Sequence, residues 1–119
     1  MRYLLVALFF FASAVQGGEP WSKQEKYIGA AALTLHVADW AQTRYIARHP
    51  ERFYEKNPFL GEHPTIGEVN RFFIGSAVVT YLIADWLGGD ARPVFLITVS
   101  AVKFGAVHHN YQIGVKMEF

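Results

Sequence analysis

Three apolar stretches, residues 28–41, 72–87 and 93–107, each enclose an ionisable side chain: His36 and Asp39 in the first, Asp85 in the second, Lys103 in the third. This constrains the fold more than any other feature. A charge at bilayer depth costs roughly 2.5–3.5 kcal/mol on insertion scales, so such a residue must face a partner. Runs of fourteen to sixteen residues are short for bare membrane spans, which need about 20, and also suit buried helices of a soluble protein. The flanking residues decide between the two.

Those flanks mark helices. Ser22-Lys23-Gln24-Glu25 and Thr65-Ile66-Gly67-Glu68 have the spacing of a capping box, in which a hydroxyl and a carboxylate satisfy the free N–H groups of a helix start. Pro50 ends the first helix by His49, since proline cannot continue it and biases the preceding residue out of helical geometry. Gly88-Gly89 closes the second helix, and Asp90 stands as the N-cap of the third, with Pro93 tolerated in its first turn. The spacing predicts helices near 23–48, 66–87 and 91–108, an all-α domain over residues 18–119.

The first of these helices would be about 39 Å long, enough for a bilayer core and its interfaces. Trp21, Tyr27, Trp40, Tyr45, Tyr81 and Trp86 fall near the helix flanks, broadly where aromatic belts lie. The chain is 52% hydrophobic and only 18% charged, against about 25% charged in soluble proteins. Ahead of this domain, Arg2 and an apolar run over residues 3–12 are followed by Ala12-Ser13-Ala14 and Val15-Gln16-Gly17. That is the pattern of a secretory signal over residues 1–17. An exported N-terminus then sends the first helix inward, and Arg44, Arg48, Arg52, Lys56 and Arg71 gather around a cytoplasmic 49–70 loop, as the positive-inside rule requires. The expectation is a signal sequence and about three membrane-spanning helices in a bacterial inner membrane, with lipid as the first partner.

Depth along these helices selects partners for the enclosed charges. Measured from the outer end, Asp39 lies roughly 16 Å in, Lys103 roughly 15 Å in and Asp85 only about 4–5 Å in. An Asp39–Lys103 ion pair is therefore expected across the first and third helices. His36 lies one turn from Asp39 on the same face, and Asp85 is left at the outer interface in reach of water. The ordinary use of such a pair is to fix helix register, and proton or ion handling is the sharper alternative. Zinc is disfavoured: the chain has no cysteine, and His108-His109 points consecutive rings about 100° apart on a helix. No phosphate loop, nucleophile elbow or zinc-protease motif is present, so neither an enzyme nor a cofactor is expected. Eleven basic residues interleaved with ten acids argue against a nucleic-acid partner.

The 50–64 loop carries a second candidate, Glu55, Asn57 and Pro58, where a helical charge rhythm gives way to a turn. It reads as a connector on the membrane surface or as a docking surface for a partner. Asp39-x-x-x-Thr43 followed by Glu55-x-Asn57-Pro58 resembles a pattern in small uncharacterised helical membrane proteins of bacteria and their phages. The resemblance covers about residues 28–88 and implies a helical fold and a membrane location, without an activity. Beyond it, Tyr111, Ile113, Val115, Met117 and Phe119 alternate with polar residues and glycine, a period-2 pattern ending in phenylalanine. The tail is expected as a short strand or extended arm outside the helical unit.

A structural or interaction role in the membrane, with a second copy or another membrane protein as partner, is the leading reading. A holin-like pore that lyses cells is one alternative, and an outer-membrane-associated protein with a β-type tail is another.

Overall fold

A computed structural model describes residues 19–119; the expected signal sequence lies outside the described residues. The described residues form three helices, α1 (Lys23–Arg48), α2 (Ile66–Trp86) and α3 (Ala91–Gln112), with no strand. Both expected capping boxes form. Ser22 Oγ accepts from Glu25 N at 3.0 Å while Glu25 Oε1 accepts from Ser22 N at 2.8 Å, and Thr65 and Glu68 repeat the exchange. Asp90 departs from expectation. Its own backbone is already helical and its side chain makes no capping bond; an N-cap side chain bonds the N2 or N3 N–H, and Pro93 at N3 has none.

α1 is the central element. It packs along α3 and more lightly on α2, whereas α2 and α3 barely touch. The third helix runs four residues past its expected end and stops in a Schellman turn. Gly114 sits at φ 90°, Val115 N donates to Asn110 O, and Gly114 N donates to Tyr111 O, which satisfies the last free carbonyls. That turn sends residues 115–119 back against α1. Val115 is buried, Glu118 N donates to Ala41 O, Arg44 Nε donates to Glu118 O, and Phe119 meets Trp40. The tail thus belongs to the helical unit, correcting the expectation of a separate strand or arm. Backbone pairing in this segment is spent on α1 carbonyls and a helix end, leaving no partner strand.

Asp85 also departs from expectation. Trp21 Nε1 donates to its Oδ1 at 2.8 Å, and the indole stacks on Tyr81. Beside it lies the most deeply buried charge of the fold, Arg92, 1% exposed. Its guanidinium donates to Ala84 O at 2.7 Å, Asp85 O at 3.0 Å and Glu19 O at 2.7 Å, and lies over the Trp21 ring. The carbonyls at the end of α2 have no partners within their own helix, and a cation at that negative end is favoured. Arg92 is therefore the cap of α2, supplied by α3, and it fastens the 19–21 segment to both.

One helix among the described residues, Ile66–Trp86, is long and apolar enough to cross a membrane by length and composition. α1, which encloses Asp39, Gln42 and Thr43, and α3, which encloses Lys103, His108 and His109, do not meet that test.

Candidate functional site

The site is built on α1, whose Asp39, Gln42 and Thr43 are enclosed by the fold. Lys103 Nζ lies 2.6 Å from Asp39 Oδ2, joining α3 to α1 at the depth that the helix arithmetic selects. The side chains keep only 20% and 14% of their exposure, and the ammonium also lies 4.9 Å from the centroid of the Phe73 ring. α2 therefore enters the cluster through Phe73. Its carbonyl receives the His36 ring at 2.8 Å, and since a carbonyl only accepts, His36 carries its proton on Nε2. His36 packs on the Phe73 ring as well. It makes no hydrogen bond to Asp39; its place in the cluster is through Phe73, a residue that apolar patterning does not distinguish from its neighbours.

One turn further along, Gln42 continues the seam. Its amide donates to Val107 O at 3.1 Å and accepts from Asn110 Nδ2 at 3.2 Å. Gln42 and Thr43 are both 2% exposed. Thr43 Oγ1 donates to Asp39 O one turn back, so the Asp39-x-x-x-Thr43 spacing is a local bond within the helix that lets a hydroxyl be buried. Sequence does not disclose this pair, because a single Gln or Asn among apolar residues carries no signal of its facing.

The Glu55-x-Asn57-Pro58 segment proves to be a turn builder. Glu55 Oε1 accepts from both Lys56 N and Asn57 N, and Asn57 Oδ1 accepts from Phe59 N, an Asx turn. Leu60 N and Gly61 N donate to Asn57 O, and Gly61 takes φ 79°. Pro58 presets the backbone angle that the turn needs and is itself exposed.

This turn does not stand apart from the ion pair. Glu55, Lys56 and Asn57 share with Asp39, Thr43 and Lys103 a cavity of about 350 Å³, whose remaining walls include Ile46, Leu60, Phe73 and Val102. At its far wall Lys56 Nζ sits 3.2 Å from His109 Nε2. A second cavity, about 650 Å³ and mostly apolar, lies between the three helices. Among the described residues no group of three His, Asp or Glu side chains gathers to hold a metal ion.

The arrangement pairs Asp39 with Lys103 and ties three helices and a loop together. Comparison with protein-family models, with curated proteins and with solved structures finds no match to this chain.

Proposed function

We propose that this chain is a small integral membrane protein of the bacterial inner membrane, with three helices across the bilayer and a structural or interaction role. One observation carries the reading: the helices expose many large apolar side chains while several of their largest buried ones are polar. The largest fully buried side chains are Arg92, Gln42, Val69 and Thr43, while Leu33, Ile74, Val94, Ile97, Val102 and Phe104 are each more than half exposed. Water outside would favour the reverse distribution, and a contiguous exposed apolar surface marks contact with lipid or a partner. The apolar window of α2 is only 17% buried, unlike the core helix of a soluble protein.

In this setting the enclosed polar groups act between helices. Lipid offers helices no hydrophobic gain on association, so packing and interhelical hydrogen bonds must hold them together. Asp39–Lys103 and Gln42–Asn110 do this between α1 and α3, and Arg92 does it at the outer end. The 49–70 loop, flanked by Arg44, Arg48 and Arg71, faces the cytoplasm, and Phe59, 85% exposed at its tip, enters the interface.

The absence of cysteine makes topology directly testable. Asp90→Cys should react with a membrane-impermeant maleimide in intact cells, and His63→Cys only after permeabilisation, with the protein resisting carbonate extraction. Release by carbonate, or labelling of both positions from one side, would refute this proposal.

A further inference from the structure

The two cavities share lining residues. Asn57 and Lys103 border both, so an apolar slot meets a smaller chamber that carries four charged side chains, Asp39, Glu55, Lys56 and Lys103. The slot, about 650 Å³, has α1 as its floor and the facing sides of α2 and α3 as walls, with Leu33, Phe72, Ala77, Leu96 and Val99 on its surface. Because α2 and α3 barely touch, it opens sideways, and Leu33 and Tyr81 on its lining are exposed. Its size falls in the range of small-molecule sites, about 300–1,000 Å³. A slot open towards acyl chains and ending in a charged chamber has the shape of an amphiphile.

The chamber's charges identify the head. Lys56 and Lys103 stand against Asp39 and Glu55, so two cations and two carboxylates face one space, which suits a head carrying both signs. Asp39 and Lys103 are joined at 2.6 Å, leaving Lys56 and Glu55 nearest the loop. Glu55 spends Oε1 on backbone N–H groups, and its Oε2 accepts no hydrogen bond among the described residues. A carboxylate oxygen of this kind accepts from a primary ammonium but gains no hydrogen bond from a quaternary one. Lys56, exposed and held only by His109, can turn to a phosphate. Counting about 1.5 Å per residue along α3, His109 lies roughly 9 Å beyond Lys103 towards the loop end, so this end of the chamber is the one nearer the headgroups.

We infer that this protein holds one phospholipid with a phosphoethanolamine head, its phosphate at Lys56, its ammonium at Glu55, and one acyl chain passing Asn57 and Lys103 into the slot. This rests on the membrane reading above.

The test is photo-crosslinking in vesicles of mixed phosphatidylethanolamine and phosphatidylglycerol, with a diazirine on the acyl chain of one or the other. Labelling by the phosphatidylethanolamine probe should exceed that by the phosphatidylglycerol probe at least fivefold. Native mass spectrometry in mild detergent should show one such lipid per chain. Ala77→Phe, which fills the slot, and Glu55→Gln, which removes the ammonium's partner, should each lower labelling at least fivefold. Glu55→Gln alters an exterior turn whose accepting oxygen glutamine retains, so it carries the test even where Ala77→Phe fails to fold. Equal labelling by both probes, labelling untouched by Glu55→Gln, or a slot filled by a second copy without lipid would overturn the inference. A protein that resists carbonate yet shows any of these keeps the membrane reading and loses the lipid; one released by carbonate loses both.

Discussion

Removing either member of the Asp39–Lys103 pair should cost far more than removing both. The contact is 2.6 Å and its side chains retain 20% and 14% exposure, so the pair counts as largely desolvated. Breaking such a pair by deleting one partner costs about 3–5 kcal/mol, whereas replacing both with apolar or neutral groups of similar volume is often neutral. The two single variants should also differ. In Asp39→Asn the ammonium keeps the Phe73 ring at 4.9 Å, a cation–π contact worth about 0.5–2 kcal/mol, and its long stem can carry it towards water. In Lys103→Met the carboxylate keeps only a 3.5 Å approach from Thr43 Oγ1. Lys103→Met should therefore lose about 4 kcal/mol, Asp39→Asn about 3 kcal/mol, and the double variant under about 2 kcal/mol, a coupling of at least about 5 kcal/mol set by the penalty of an orphaned charge. Reversible unfolding in mixed micelles, followed by far-ultraviolet circular dichroism, measures all four corners of the cycle. The charge-reversed pair, Asp39→Lys with Lys103→Asp, should recover part of the loss. Additive losses in the double variant would refute the claim that these two charges stabilise one another across α1 and α3.

Arg92→Lys should destabilise by about 3 kcal/mol, because an ammonium cannot span the carbonyls of Ala84, Asp85 and Glu19 that a planar guanidinium reaches; the same unfolding assay checks it, and recovery of full stability by lysine would show the fork to be dispensable. Gly114→Ala places a Cβ at φ 90° and should cost about 1–2 kcal/mol, seen locally as faster hydrogen exchange at the Glu118 amide. At the start of α1, the hydrogen bond from Ser22 N, with Arg92 nearby, holds the Glu25 carboxyl below its ordinary value of 4.5. A lowered folded value means that the stabilisation is complete above about pH 4.5 and disappears as pH falls through the folded value. The stability gap between the parent and Glu25→Gln should accordingly be constant near neutrality and close in acid, and a gap independent of pH would contradict that origin.

Much of this fold is legible one helix at a time. Ser22/Glu25 and Thr65/Glu68 declare two starts because capping chemistry is local, and Pro50 and Gly88-Gly89 declare two stops for the same reason. The end of α3 is harder to read. His108-His109 breaks the apolar run without breaking the helix, and only Gly114, with its positive φ, terminates it. The tail's alternation misleads because period 2 describes any chain laid across a surface with one residue tucked in; Val115 is buried while Met117 and Phe119 are not. Arg92 is invisible as a buried group because it sits beside a glycine turn that ordinarily faces water. Its burial depends on where the end of α2 lies in three dimensions.

The contrast between Asp39 and Asp85 shows how far depth alone carries a pairing. Helix rise fixes an axial coordinate, at about 1.5 Å per residue, and says nothing of which way a side chain faces. Asp39 found Lys103 because one opposite charge stood at its level. Asp85 had no opposite charge on a neighbouring apolar run, and so looked like a residue for water. Yet Trp21, just ahead of α1, lies beside the end of α2, and its indole N–H is 2.8 Å from Asp85 Oδ1. A carboxylate needs donors, and an indole supplies one as well as an ammonium does, with apolar surface besides. Depth matching that includes every donor would have paired both aspartates. It would not have reached Gln42 and Asn110, for which the facing of α1 towards α3 must already be known, and that facing is decided by packing.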